Sequence, residues 1–181
     1  MRDGASSVLE DFRLGNPETF DDAFTALFHQ HQRTVYGWLL RIVRNPPAAE
    51  ELTVETFWRI YRAHARFDPS RSFEAWARTI ATHAAMDWLR KQKPADELPT
   101  ELPAPLTSDP AISAEIRRKT AAAFSRLPPK LRVAASLAVI EELPHKEIAA
   151  ALDISVAAVK VRVFRALRLL RKDLQQQGIT P

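Results

Sequence analysis

Apolar positions recur along this chain at helical rather than strand spacing. A first helix is predicted from near Asp22 to Val43, ending before "NPP", where Asn45 can cap the next helix and Pro46 can fill its first position. On that next helix Ala49, Leu52, Thr53, Thr56, Phe57 and Ile60 share one sector of a 3.6-residue wheel, the stripe expected to be buried. Val54, Trp58 and Tyr61 fall on another side, bordered by Glu50, Glu51 and Glu55. Such a helix is either sandwiched between two neighbours or exposes an acid-edged apolar strip to a partner. A third helix is predicted after the N-cap candidate Ser72, through "FEAWARTIATHAAMDWLRKQK" until Pro94 stops it. Trp76 and Trp88 border its apolar face and read as core.

The C-terminal part has a second pattern. A short helix holding Ile148, Ala149 and Leu152 is followed by a turn at Asp153-Ile154, then by Ser155 as N-cap of a long helix. Val156, Val159, Val163, Leu167, Leu170 and Leu174 give that helix its predicted inward face. Between Ser155 and Lys172 its other faces carry Lys160, Arg162, Arg165, Arg168, Arg171 and Lys172, with no acid among them. A single-sign stripe repels itself on a bare helix and is stabilised by a phosphate backbone, so a helix-turn-helix on duplex DNA is the expected reading. A merely solvated face usually mixes both signs.

Charge divides the chain further. Residues 1–22 carry a net −4, 23–93 a net +5, 94–111 a net −4 and 112–181 a net +7. The acidic strip "PADELPTELPAPLTSDP" holds five of the thirteen prolines, which rules out a continuous helix and favours an extended connector. The predicted organisation is an acidic N-terminal extension (1–21), a three- to four-helix bundle (22–93), a Pro-rich linker (94–111) and a helix-turn-helix module (112–175). With only four glycines and no NG or DG hairpin signal, the predicted fold is all-α, two small helical domains.

Composition narrows the chemistry. There is no Cys, so disulfides, thiolate zinc sites and a Cys nucleophile are excluded, and His29, His31, His64, His83 and His145 show no HExxH spacing. No phosphate loop or nucleophile–base spacing is present, so neither catalysis nor a cofactor or metal is expected. No apolar run is long enough to span a membrane and no secretory leader is visible, so the expectation is a cytoplasmic protein without membrane contact.

Two stretches in this order carry a family resemblance. "AAEELTVETFWRIYRA" and "FEAWARTIATHAAMDWLRKQK", followed by "LPPKLRVAASLAVIEELPHKEIAAALDISVAAVKVRVFRALRLL", resemble regions 2 and 4 of bacterial extracytoplasmic-function (ECF) RNA polymerase sigma factors of the sigma-70 superfamily. The resemblance implies that Glu50, Glu51, Val54, Glu55 and Trp58 dock on the coiled coil of the polymerase beta-prime subunit, with the beta flap as a further contact. It implies that the minus-10 element is opened and read as a single strand by Asp68, Ser70, Arg71, Arg78, His83, Arg90, Lys91 and Lys93. It implies that the minus-35 duplex is read by Lys160, Val161, Arg162, Phe164 and Arg165. Promoter DNA and core polymerase are the implied partners, an anti-sigma factor a further one.

The departures carry information too. Ala48 stands where the family has an acid, and Thr53-Val54 where it has Val-Gln; Thr82-His83 replaces Arg-Asn, Asp153 the turn Gly, and Val161 a recognition-helix Ser. Val161 favours an apolar contact such as a thymine methyl. The threonine resembles that of a subgroup regulated by Ser/Thr protein kinases, in which a phosphate of about −1.5 to −2 charge would replace the missing acid. Against this, Thr53 lies on the predicted buried stripe, where a kinase reaches it only after local opening. Two other functions remain at this point: a helix-turn-helix regulator that binds duplex DNA without polymerase, and an interaction protein that only occupies the polymerase surface.

Overall fold

A computed structural model of the chain describes residues 4–92 and 110–179. The described residues form eight α-helices and no strand: α1 (Gly4–Leu14), α2 (Phe20–Val43), α3 (Pro46–Ala63), α4 (Phe73–Lys91), α5 (Pro110–Ser125), α6 (Pro129–Ala135), α7 (His145–Leu152) and α8 (Val156–Gln176). A 3-10 turn, His64–Arg66, follows α3, and a π-helical stretch, Ser136–Ile140, prolongs α6. The acidic Pro-rich strip falls almost wholly outside the described residues.

Local chemistry sets the helix ends. Asn45 accepts a hydrogen bond from the Ala48 N–H at 3.0 Å with prolines at the first positions of α3, and Ser72 and Ser155 cap α4 and α8 through Ala75 and Ala158. Each such cap contributes about 1 kcal/mol. The tight turn before α8 puts Asp153 in the left-handed region, φ 51°, a conformation that Asp tolerates better than most residues.

In the N-terminal half α2, α3 and α4 pack on one another, and α1 lies on α2 and the 3-10 turn. The predicted buried stripe of α3 is buried as drawn. What the sequence reading treated as an acidic extension contributes a core side chain, since Phe12 of α1 is fully buried. In the C-terminal half α8 is cradled by α5, α6 and α7. Its inward face needs a correction: Val159, Val163, Ala166 and Leu170 are buried, whereas Val156 and Leu167 are exposed. The stripe is shifted because Phe124 and Ala135, from α5 and α6, pack against the Ala166 side and leave Leu167 at the margin.

The two halves are joined by contact as well as by sequence. α4 packs against α6 and α7, and one core runs from Leu39 and Ile60 into Leu137, Ile148 and Val159. Three arginines of the first half close this seam. Arg41 pairs with Glu141, Arg78 reaches Glu147 at 3.9 Å, and Arg44, left-handed and buried, stacks over Phe124 at 5.4 Å.

Candidate polymerase and nucleic-acid interfaces

Three surfaces hold the residues singled out from the sequence. On α3, Val54 and Trp58 are exposed by 67% and 55%, far more than large apolar side chains on a closed bundle surface usually are. Trp58 stacks in parallel on Tyr61, 5.8 Å between centroids, while Tyr61 itself turns inward onto Phe20 and Phe24. Tyr61 therefore braces the indole instead of extending the outward strip. Glu50 and Glu51 are exposed beside it, and Glu55 accepts from Arg59 at 2.8 Å, with Asp87 of α4 at 3.4 Å on the same guanidinium. Thr53 is buried, 8% exposed, and its hydroxyl donates to the Ala49 carbonyl at 2.7 Å. It lines the floor of a shallow cleft between α2 and α3 whose rim includes Gln32, Arg33 and Glu50.

The second surface is the loop 68–72 and the outer side of α4. Asp68 accepts from the Ser70 hydroxyl at 2.7 Å and the Ser70 N–H at 3.0 Å, and Arg71 lies 3.4 Å from its other oxygen. These hydrogen bonds, with the nearby guanidinium groups, hold the Asp68 carboxyl below its ordinary value. Asp68, Ser70 and Arg71 are exposed, as are Arg90 and Lys91 at the far end of α4; His83 is half-buried, and Lys93 lies outside the described residues. Arg78 does not belong to this open surface. Its guanidinium stacks over Trp38 at 4.6 Å, with Glu74 at 3.6 Å and Glu147 of α7 at 3.9 Å, and only 15% of the side chain is exposed. The family resemblance implied a minus-10 contact for Arg78; docking of the helix-turn-helix covers it. Thr82, where the family has a polar pair with residue 83, is buried.

The third surface is α8. Lys160, Val161, Phe164 and Arg165 are exposed, Phe164 by 65%, and Arg162 is half-buried. Among the described residues none of Lys160, Arg162, Arg165, Arg168, Arg171 or Lys172 has an acidic partner. Unneutralised cations on one helix favour a polyanion.

A helical bundle with an exposed acid-edged indole, a loop of hydrogen-bonding side chains, and a helix-turn-helix with a bare basic helix matches two family models in the same order. Sigma-70 region 2 matches residues 27–95 and sigma-70 region 4 matches residues 117–170. The chain belongs to the ECF group of the sigma-70 family. It is 36% identical over 173 residues to RNA polymerase sigma factor CarQ of Myxococcus xanthus, covering 92% of this chain and 95% of that one. It is 31% identical over 168 residues to ECF RNA polymerase sigma factor SigW of Bacillus subtilis, covering 85% and 90%. Among solved structures, CnrH in complex with the cytosolic domain of CnrY superposes with a TM-score of 0.67 at 22% identity over 96% of this chain and 99% of that one. Sigma factor RpoE of Bartonella quintana, in complex with the anti-sigma factor NepR, superposes at 0.64 with 19% identity over 84% and 96%. These two likenesses show the fold.

Sigma factors are transcription-initiation factors rather than catalysts, and binding is the work this chain's surfaces have to do. No helix among the described residues is long and apolar enough to cross a membrane, and no cluster of metal-ligating side chains occurs among them. The sequence reading missed the seam arginines Arg41 and Arg44, because Glu141 lies 100 positions from Arg41 and Phe124 lies 80 positions from Arg44, beyond any local pattern. Phe12 left a fainter trace: with Val8 and Leu9 it forms a short i, i+1, i+4 apolar stripe inside an acidic segment.

Proposed function

We propose that the chain binds core polymerase through Glu50, Glu51, Val54, Glu55 and Trp58, reads an opened minus-10 strand with Asp68, Ser70, Arg71, His83, Arg90, Lys91 and Lys93, and reads the minus-35 duplex with Lys160, Val161, Arg162, Phe164 and Arg165. The observation that carries this reading is the exposure of Val54 and Trp58 on a helix whose opposite side is fully buried. A repressor or activator working without polymerase has no use for that strip. Arg78 enters only after opening. Minus-10 and minus-35 elements lie about 25 base pairs apart, roughly 85 Å along B-DNA at 3.4 Å per pair. A chain of this length packed as one body is roughly 40 Å across, shorter than that span, so promoter binding includes parting of the two halves that the Arg78–Glu147 seam holds together.

We also propose that phosphorylation of Thr53 by a Ser/Thr kinase strengthens core binding. Ala48 in place of an acid and the nearness of Arg33 across the cleft support it, since a phosphate there has a cation for charge-assisted hydrogen bonds. The hydroxyl must first leave the Ala49 carbonyl, so modification follows local opening of α3. An anti-sigma factor is a further proposed partner, competing for the α3 strip.

Run-off transcription with purified core enzyme tests the main reading: promoter-dependent transcripts that require both chain and core are expected. Sequence-specific duplex binding by the chain alone, with no transcript when core is added, would replace it with the regulator reading. For Thr53 the measurement is core affinity of phosphorylated and unmodified chain, and equal affinities reject the gate.

A further inference from the structure

The helix ahead of the family-matched region packs against the residues that flank loop 68–72. α1 precedes the region 2 match, which begins at residue 27, and it packs on α2 and the 3-10 turn. Its Phe12 is wholly buried, with the rings of Phe20, Phe24, His64, Phe67, Phe73 and Trp76 all within 6.4 Å of its centroid. Phe67 and Phe73 are the residues on either side of loop 68–72, and their own rings meet at 5.6 Å. Both ends of the loop are therefore clamped in one aromatic box, and Phe12 is the wall that α1 supplies.

A second contact ties the end of α1 to the start of the same segment. Gly15 adopts φ +62°, and a Cβ there would lie 2.7 Å from Nε2 of His64. The His64 ring is itself fixed, with Nδ1 at 2.9 Å from the Tyr61 carbonyl oxygen and its centroid 4.7 Å from that of Phe20. The glycine permits a close approach that a side chain would push apart. Arg13, next to Phe12, adds positive charge near the Asp68 carboxyl.

We propose that α1 is a positioning element for the minus-10 loop: through Phe12 and the Gly15–His64 contact it holds Asp68, Ser70 and Arg71 in the geometry that discriminates among unpaired bases. The proposal rests on the reading of loop 68–72 as the minus-10 contact. Phe12 reaches the α3 strip only indirectly, through Phe20 and Phe24 onto Tyr61, which braces Trp58, so core affinity is measured beside loop geometry to keep the two apart. The bonds among Asp68, Ser70 and Arg71 fix these side chains relative to one another, but the placement of the loop as a whole depends on its ends, and loosening them lowers discrimination more than it lowers overall affinity.

The test uses the full chain with core polymerase. Open-complex formation is measured on a parent promoter and on promoters with single minus-10 substitutions, beside core affinity and binding to a minus-35 duplex. For wild type a substituted base is expected to reduce open complex by about tenfold. Phe12→Ala and Gly15→Ala are expected to bring that ratio towards parity while core and minus-35 affinities stay within about twofold, and Phe12→Leu is expected to restore most of it. Gly15→Ala keeps the aromatic box filled, so it carries the test if Phe12→Ala is poorly folded by circular dichroism. An unchanged discrimination ratio in folded Gly15→Ala, or a loss uniform over all promoters that tracks core affinity, overturns the proposal. Asp68→Ala and Arg71→Ala are measured alongside. If they too leave discrimination unchanged, the loop is not the minus-10 reader, and it is that reading that fails.

Discussion

The proposed recognition helix α8 and the proposed minus-10 surface would share one kind of job, yet their construction is opposite. On α8 the six basic residues from Lys160 to Lys172 stand without acidic partners among the described residues, on one continuous helix. On the surface proposed to meet the minus-10 element several charges are already engaged: Asp68 with Ser70 and Arg71, and Arg90 with Asp87. A duplex is a regular rod of phosphates that rewards a bare cationic stripe. Unpaired bases are captured one at a time by shaped pockets, which need side chains held in fixed relation to each other. The contrast suggests affinity concentrated in one surface and discrimination in the other.

The largest effect should come from the surface that serves neither DNA element. Trp58→Ala with Glu51→Lys removes an exposed anchor and reverses a charge, and a loss of core affinity of 2 kcal/mol or more, roughly thirtyfold, is expected by anisotropy with the fold intact by circular dichroism. An unchanged affinity would move the docking face elsewhere. Next, if α8 works by neutralising phosphate, Arg165→Ala should flatten the log–log salt dependence of promoter binding by about one unit, and Arg162→Ala, half-buried, by no more than that. Loop substitutions such as Ser70→Ala should leave the slope untouched and alter base preference, and a changed slope there would erase the contrast.

The seam offers a sharper comparison. Glu141→Lys with Glu147→Lys turns two attractions into repulsions against Arg41 and Arg78, and each exposed or half-exposed pair contributes about 0–1 kcal/mol. A larger radius of gyration in small-angle scattering is expected, with modestly tighter binding of the free chain to promoter DNA. No expansion would mean that the shared core through Leu137 and Ile148 holds the halves together by itself.

The smallest effect concerns His31. Burial lowers its imidazole below the ordinary 6.5, partly offset by Glu74, and its ring lies 4.9 Å from Phe73. The unfolded chain therefore binds the proton first, so stability present at neutral pH is lost as pH falls from about 6.5 through the lowered folded value. His31→Gln should reduce that slope in denaturant titrations at pH 7 and pH 5.5, and an identical slope would show the imidazole to be irrelevant.

Helix identity was legible along the chain because it depends on neighbours within one or two turns. The caps at Asn45, Ser72 and Ser155, the buried stripe of α3 and the basic run of α8 are all short-range patterns, and the structure has them where spacing places them. Exposure of Val54 and Trp58 was legible for the same reason: one wheel with two apolar sides must leave one of them unspent or find a second neighbour. What spacing cannot encode is which neighbour arrives. Whether Leu167 or Ala166 faces inward depended on where α5 and α6 sit, and Arg78 went from a surface cation to a seam residue because α7 docks on α4. Phe12 lies more than fifty positions from Phe67 and Phe73, and a wheel drawn on α1 has no knowledge of the loop behind it. The sequence by itself determined the helices, their ends and their charge, since those follow from local propensity and period. Only the tertiary structure decided which arginines are available and what holds loop 68–72, since those are contacts between segments that meet only when the chain has folded.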